Sequence, residues 1–140
     1  DADLSWRQVD SQNSIQNIIL HLCGNLTQWI LHGLGGIPDQ RQRAAEFADR
    51  ESRTCQELAD RLKAVVAACD AVLAAFPQQR LAETTQIQGF DLTYLAAIYE
   101  AVSHFVGHQH QVVYITRLRV GDKYQFEWLP EAPSATSPLH

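Results

Sequence analysis

The sequence predicts an all-α helical bundle with three long helices. Three observations predict it. Apolar residues recur at three- and four-residue spacing over three separate stretches. Gly or Pro follows each stretch as a stop signal. Alternating, strand-like patterning is confined to a short segment near 84–88. The 140 residues, 46% hydrophobic and 19% charged, are one domain's worth and enough for a single core. We expect one domain over residues 1–130. The tail, 131–140, is rich in Pro, Ser and Ala and is expected to be flexible.

The first long helix is expected from about Asn13 to Gly33. Ile15, Ile18, Ile19, Leu22, Leu26, Trp29 and Ile30 share one face. Asn13 or Ser14 serves as N-cap, and Gly33, Gly35, Gly36 and Pro38 stop the helix. A polar, Arg-rich connection follows. Its Arg43–Ala48 stretch has the makings of a short helix, with Phe47 as its anchor on the core. The second long helix is expected from about Glu51 to Phe76. Cys55, Leu58, Leu62, Val65, Cys69, Val72 and Phe76 form an a/d seam of the kind that packs bundles. Pro77 ends it, and Gly89 breaks the extended segment beyond. The third long helix is expected to start after Asp91 as N-cap and to run to about Arg119. Leu95, Tyr99, Val102, Val106 and Val113 form its apolar stripe, and Gly121 closes it.

Composition narrows the function. Lys and Arg number 11 against 16 Asp and Glu, a formal charge of −5. Nucleic-acid binding needs clustered cations to neutralise phosphates. Here the only dense group, Arg41, Arg43, Arg50 and Arg53, is interleaved with acids. The longest apolar candidate for a membrane span, Ile15–Leu34, is interrupted by Gln16, Asn17, His21, Asn25, Gln28 and His32. No nucleic-acid or membrane partner is expected. The first residues carry no basic stretch of the secretory type. Cys23, Cys55 and Cys69 are odd in number and widely spaced, so they read as buried thiols and point to a cytoplasmic location.

The chemistry lies in the histidines. His104 and His108 are four apart on a helix, so their rings project together, about 6 Å apart at the backbone. This spacing lets two imidazoles share an ion. With Leu95 at zero on a helical wheel of about 100° per residue, the pair falls near 180° and 220°. Its neighbours there are Ala97, Ala101, Gln111 and Ile115, so both sides of this helix are expected to be buried. His21 lies at the edge of the first helix's apolar face. Alone it reads as a structural histidine. Meeting the pair across a helix interface, it completes a three-histidine site with an open position, as catalytic zinc-type centres have. Glu100, one turn before His104, is a candidate fourth ligand, proton shuttle or ligand-supporting carboxylate, or simply an exposed carboxylate. Asn25, Gln28 and Gln111 are candidates to hold waters or ligand nitrogens. His32 reads as a helix-end residue. His110 points away from the pair, and His140 lies in the tail.

Two segments carry a resemblance to a known family. Asn13-Ser14-Ile15 leading to Ile19-Leu20-His21-Leu22-Cys23-Gly24-Asn25-Leu26 resembles the second-helix signature of the DinB/YfiT-like superfamily. His104-Phe105-Val106-Gly107-His108, followed by Gln111 to Thr116, resembles its fourth-helix signature. Arg41 to Ala48 and Gln88-Gly89-Phe90-Asp91 are similar to a bacterial subgroup. The resemblance spans roughly Leu4 to Leu118. It implies a four-helix bundle with one divalent ion on His21, His104 and His108. It departs from the family in two ways. His110 stands where relatives usually carry Gly, and the family's first long helix has no counterpart before Trp6-Arg7. A three-helix remnant is expected to leave a wide apolar groove, which points to a fragment or to self-association, for instance a homodimer.

The resemblance also implies activity. Its members include metal-dependent hydrolases, and transferases or isomerases that use a low-molecular-weight thiol. A catalytic assignment puts Glu100 and Gln111 beside the ion, moving protons or orienting a small-molecule substrate. Zinc or nickel is the foremost metal, with iron, cobalt or manganese as other candidates. The alternatives are a non-catalytic, stress-related metal-binding protein and a helical interaction module.

Overall fold

The computed structural model describes residues 2–126. The tail expected over 131–140, with His140, lies outside the described residues. The fold is mostly helical, as the periodicity predicts. A turn of 3-10 helix, Ala2–Leu4, leads to α1 (Ile15–Leu26), which continues without a break as a π-helical turn over Thr27–His32. Ser14 caps α1 in a capping box with Asn17: each side chain bonds the other residue's backbone N–H. The short α2 (Arg43–Ala48) follows. The long α3 (Cys55–Ala75) opens on a second capping box, Thr54 with Glu57, and ends before Pro77. Then come β1 (Thr84–Ile87), β2 (Phe90–Thr93) and the 27-residue α4 (Tyr94–Val120).

The extended segment is one half of an antiparallel hairpin, with Thr84 opposite Thr93 and Ile87 opposite Phe90. Gln88 and Gly89 both have positive φ, 53° and 82°, the backbone that a two-residue hairpin turn requires. The expected start of the third long helix is therefore corrected. Asp91 lies in β2, and Thr93 is the N-cap, its hydroxyl accepting from Ala96 N.

Helix α1 is the hub, with α2, α3 and α4 all packed on it. Its apolar side holds the core. Leu26 and Ile30 meet Cys69 of α3 and Ala101 of α4, ringed by Val65, Leu73, Ile98 and Phe105. Ala97 and Ala101 are fully buried, Ala101 against Leu26 and Ile30. The other side of α1 is buried as well. Ser14, Gln16, Asn17, His21 and Asn25 are all within the interior. Such polar groups need partners, and the segment 46–51 supplies several. Gln16 Nε2 donates to Asp49 Oδ1 at 2.6 Å and to the Glu51 carbonyl at 2.8 Å. Asn17 Nδ2 donates to the carbonyls of Glu46, Phe47 and Asp49.

Two burial expectations are corrected. Cys55 is exposed at the first position of α3, whereas Cys23 and Cys69 are buried thiols. The α4 stripe of Leu95, Tyr99, Val102 and Val106 is 42–74% exposed, so α4 buries its alanine line and not both sides. Between α3 and α4 runs an apolar groove of about 210 Å³, floored by Leu26, Ile30 and Cys69.

A three-histidine cluster on two helices

His21 projects from the middle of α1 and is 3% exposed. His104 and His108, one turn apart on α4, are half-buried and face it. His21 Nε2 and His104 Nε2 are 2.9 Å apart. One ring nitrogen from each of the three histidines lies within 4.8 Å of the others. The three rings pack edge to face, with centroids 4.5–5.0 Å apart. The structure thus brings together the three residues that spacing and resemblance single out.

The far side of each outer ring has a partner that sets its proton. His21 Nδ1 is 3.0 Å from Glu46 Oε2. An ionised carboxylate only accepts, so Nδ1 carries the hydrogen and Nε2 presents a lone pair to the cluster. His108 Nδ1 is 2.7 Å from Gln111 Oε1, which likewise places the proton on Nδ1 and leaves Nε2 bare. Glu46 is itself gripped from behind by Arg41: Nε donates to Oε1 at 2.7 Å and Nη2 to Oε2 at 2.9 Å. The Phe47 ring lies 4.7 Å from the His21 ring, so the anchor expected of Phe47 is an imidazole.

Burial works against the charged form of two of the three rings, His21 and His104. Burial lowers the pKa of His21, with Arg41 adding to the effect against the pull of Glu46. Burial, His108 and His21 push His104 down to about 4. Burial alone would raise the Glu46 carboxyl, but hydrogen bonds from Arg41 and His21 outweigh it and hold it below its usual value. Neutral imidazole is the form that ligates metal. Three imidazole nitrogens within 4.8 Å of one another, two of the rings backed by oriented acceptors, are a donor set that suits a divalent transition metal with coordination positions to spare.

The remaining candidates fall as follows. Gln111 supports His108 from an exposed position. Glu100 is exposed and is not among the clustered groups. Gln28 accepts from Arg41 and donates to Asp39. Asn25 is buried one turn beyond His21. His32 bonds the Ile37 carbonyl at the helix end, and His110 is exposed. Sequence reasoning did not single out Glu46 and Arg41 for the site. The signal that could have found them is Gly24, a helix-interior glycine three residues after His21.

Fold and site together define a helical-bundle protein with a partly buried three-histidine cluster where its first and last long helices meet. The chain belongs to the family described as "Protein of unknown function (DUF1572)", whose model matches residues 1–132. No curated protein and no solved structure matches it. Among the described residues, no helix is long and apolar enough to cross a membrane.

Proposed function

We propose that this is a DinB-like metal-dependent enzyme in which His21, His104 and His108 hold one divalent transition-metal ion, zinc or nickel foremost. The observation that supports it best is the convergence of three imidazole nitrogens within 4.8 Å. When bound, the ion supplies Lewis-acid activation of a water or a low-molecular-weight thiol at neutral pH. The chain's own residues do the rest. His21 contributes from α1 and His104 and His108 from α4, so the site exists only when the two helices are docked. Glu46 and Gln111 accept from the outer nitrogens of His21 and His108 and hold those rings in place. Phe47 covers one side of His21 and keeps water from it. The reaction is hydrolysis of a small ester or amide, or transfer of a thiol to a small electrophile. Dependence of turnover on added thiol separates the two.

Elemental analysis of the purified protein beside His108→Ala tests the reading. One ion per chain is expected in the wild type, with most of it lost in the variant. A wild type without metal, or a variant with its full load, overturns it.

A further inference from the structure

We propose that Glu46, Arg41 and Gly24 form a positioning unit that fixes the proton of His21 on Nδ1 and so sets how tightly the cluster holds its ion. The affinity part rests on the three-histidine reading above; the protonation part stands on geometry alone.

The unit begins with a carboxylate in an unusual place. Glu46 comes from a six-residue helix, 25 positions from His21 in sequence, yet its side chain is only 11% exposed. Asn17, one turn before His21, holds the Glu46 carbonyl at 2.9 Å and the Asp49 carbonyl at 3.1 Å. Helix α2 is thereby fixed over the ring it serves. Arg41 closes the other side. Its side chain is 4% exposed, bonds both Glu46 oxygens, and gives a further hydrogen bond to Gln28 Oε1 at 2.9 Å. A two-pronged guanidinium leaves the carboxylate little freedom to turn away from the imidazole.

Gly24 supplies the space. It sits inside α1, where glycine costs about 1 kcal/mol relative to alanine. A Cβ at this position would lie 2.7 Å from Glu46 Cδ and 3.1 Å from Arg41 Nε. The missing side chain is thus the slot in which the ion pair rests against the helix. A pair that merely stapled the 37–49 segment to α1 would hold the fold together. It would have no need to aim one carboxylate oxygen at His21 Nδ1. Arg41 Nη2 also lies 3.0 Å from that nitrogen and would donate to it in the other tautomer, but Arg41 already donates to both Glu46 oxygens, and Glu46 Oε2 then finds its imidazole donor only if Nδ1 is protonated. The acceptor that decides the tautomer is Glu46.

The test uses Glu46→Gln and Gly24→Ala in the full chain. Glutamine keeps the shape but offers one acceptor and one donor, so it cannot satisfy Arg41 at both oxygens and still accept from His21. Alanine at position 24 leaves every ligand and the carboxylate in the chain while displacing the Glu46 side chain. Two readouts are taken: long-range proton–nitrogen spectra of the imidazoles in metal-free protein, and zinc affinity by competition with a chromophoric chelator. Wild-type His21 is expected to carry its proton on Nδ1, and each variant to move it at least partly to Nε2. Zinc affinity is expected to fall about 10- to 100-fold in each, with helix content unchanged. Variants that keep the Nδ1 proton and wild-type zinc affinity overturn the proposal. Should Glu46→Gln fail to fold, Gly24→Ala carries the same two readouts. If the wild type takes up no zinc, the three-histidine reading falls, and the tautomer measurement still decides whether the unit positions His21.

Discussion

His21 Nε2 and His104 Nε2 stand 2.9 Å apart although 83 positions separate the two residues in the chain. Glu46 draws the His21 proton to the other side of its ring. Two bare lone pairs at this distance would repel. A proton on Nε2 of neutral His104 bridges them in the metal-free protein, and on the reading proposed above a bound cation takes its place.

That relationship predicts a metal-dependent melting temperature. A ligand of the folded state at about a thousand times its Kd stabilises by roughly 4 kcal/mol, a rise of about 10–20 °C for a domain of this size. Zinc is expected to produce such a shift in the wild type and almost none in His104→Ala. Equal shifts by differential scanning calorimetry would show that the ion binds elsewhere.

The buried amide of Asn17 predicts a structural cost. It satisfies carbonyls of Glu46, Phe47 and Asp49 and completes the cap of α1. Asn17→Ala strands these groups, each buried unpaired polar group costing about 1–3 kcal/mol. We expect a loss of about 3 kcal/mol in urea unfolding. A loss under 1 kcal/mol would mean that water replaces the amide freely.

Asp49 predicts an acid limb. The Arg53 hydrogen bond, aided by one from Gln16, holds its carboxyl below the ordinary value of 3.8 against the opposing effect of burial. A folded-state pKa below the unfolded one gives stability that is present above about pH 4 and is lost as pH falls through the folded-state value. Asp49→Asn should therefore be less stable than wild type at pH 7. The difference should shrink steadily below pH 4 when unfolding is measured across pH. A difference independent of pH would assign the role to hydrogen bonding alone.

Ile87 predicts that the hairpin is part of the core. It is 1% exposed and seats against Gly33, where a Cβ would lie 3.0 Å from Ile87 Cγ1. Ile87→Ala should cost about 2–4 kcal/mol by leaving a cavity. A smaller cost in chemical denaturation would mean that the hairpin collapses to fill it.

How much of this was legible in the sequence follows from what each residue does. The three long helices announce themselves by periodic burial over many residues. The histidine pair follows from a four-residue spacing, which a helix turns directly into adjacency. Glu46 and Arg41 lie in a short polar connection with no period. Their role depends on where that connection lands on α1, and Asn17 and Gln16 decide this from afar. The second strand is four residues beside a two-residue turn, too short to outweigh Asp91 as an apparent cap. The α4 stripe misled for a different reason. Its spacing is that of a buried seam, but α4 buries the line of Ala97 and Ala101 instead, with Ala101 against Leu26 and Ile30, so the seam faces outward.

The hub position of α1 has a kinetic consequence. Its His21 meets a residue 83 positions further along the chain, and bringing together ends so far apart is entropically demanding. On the metal-binding reading proposed above, an ion held by both helices would act as a clasp on the folded molecule. It should slow the opening of the native state many-fold while leaving the speed of refolding almost untouched.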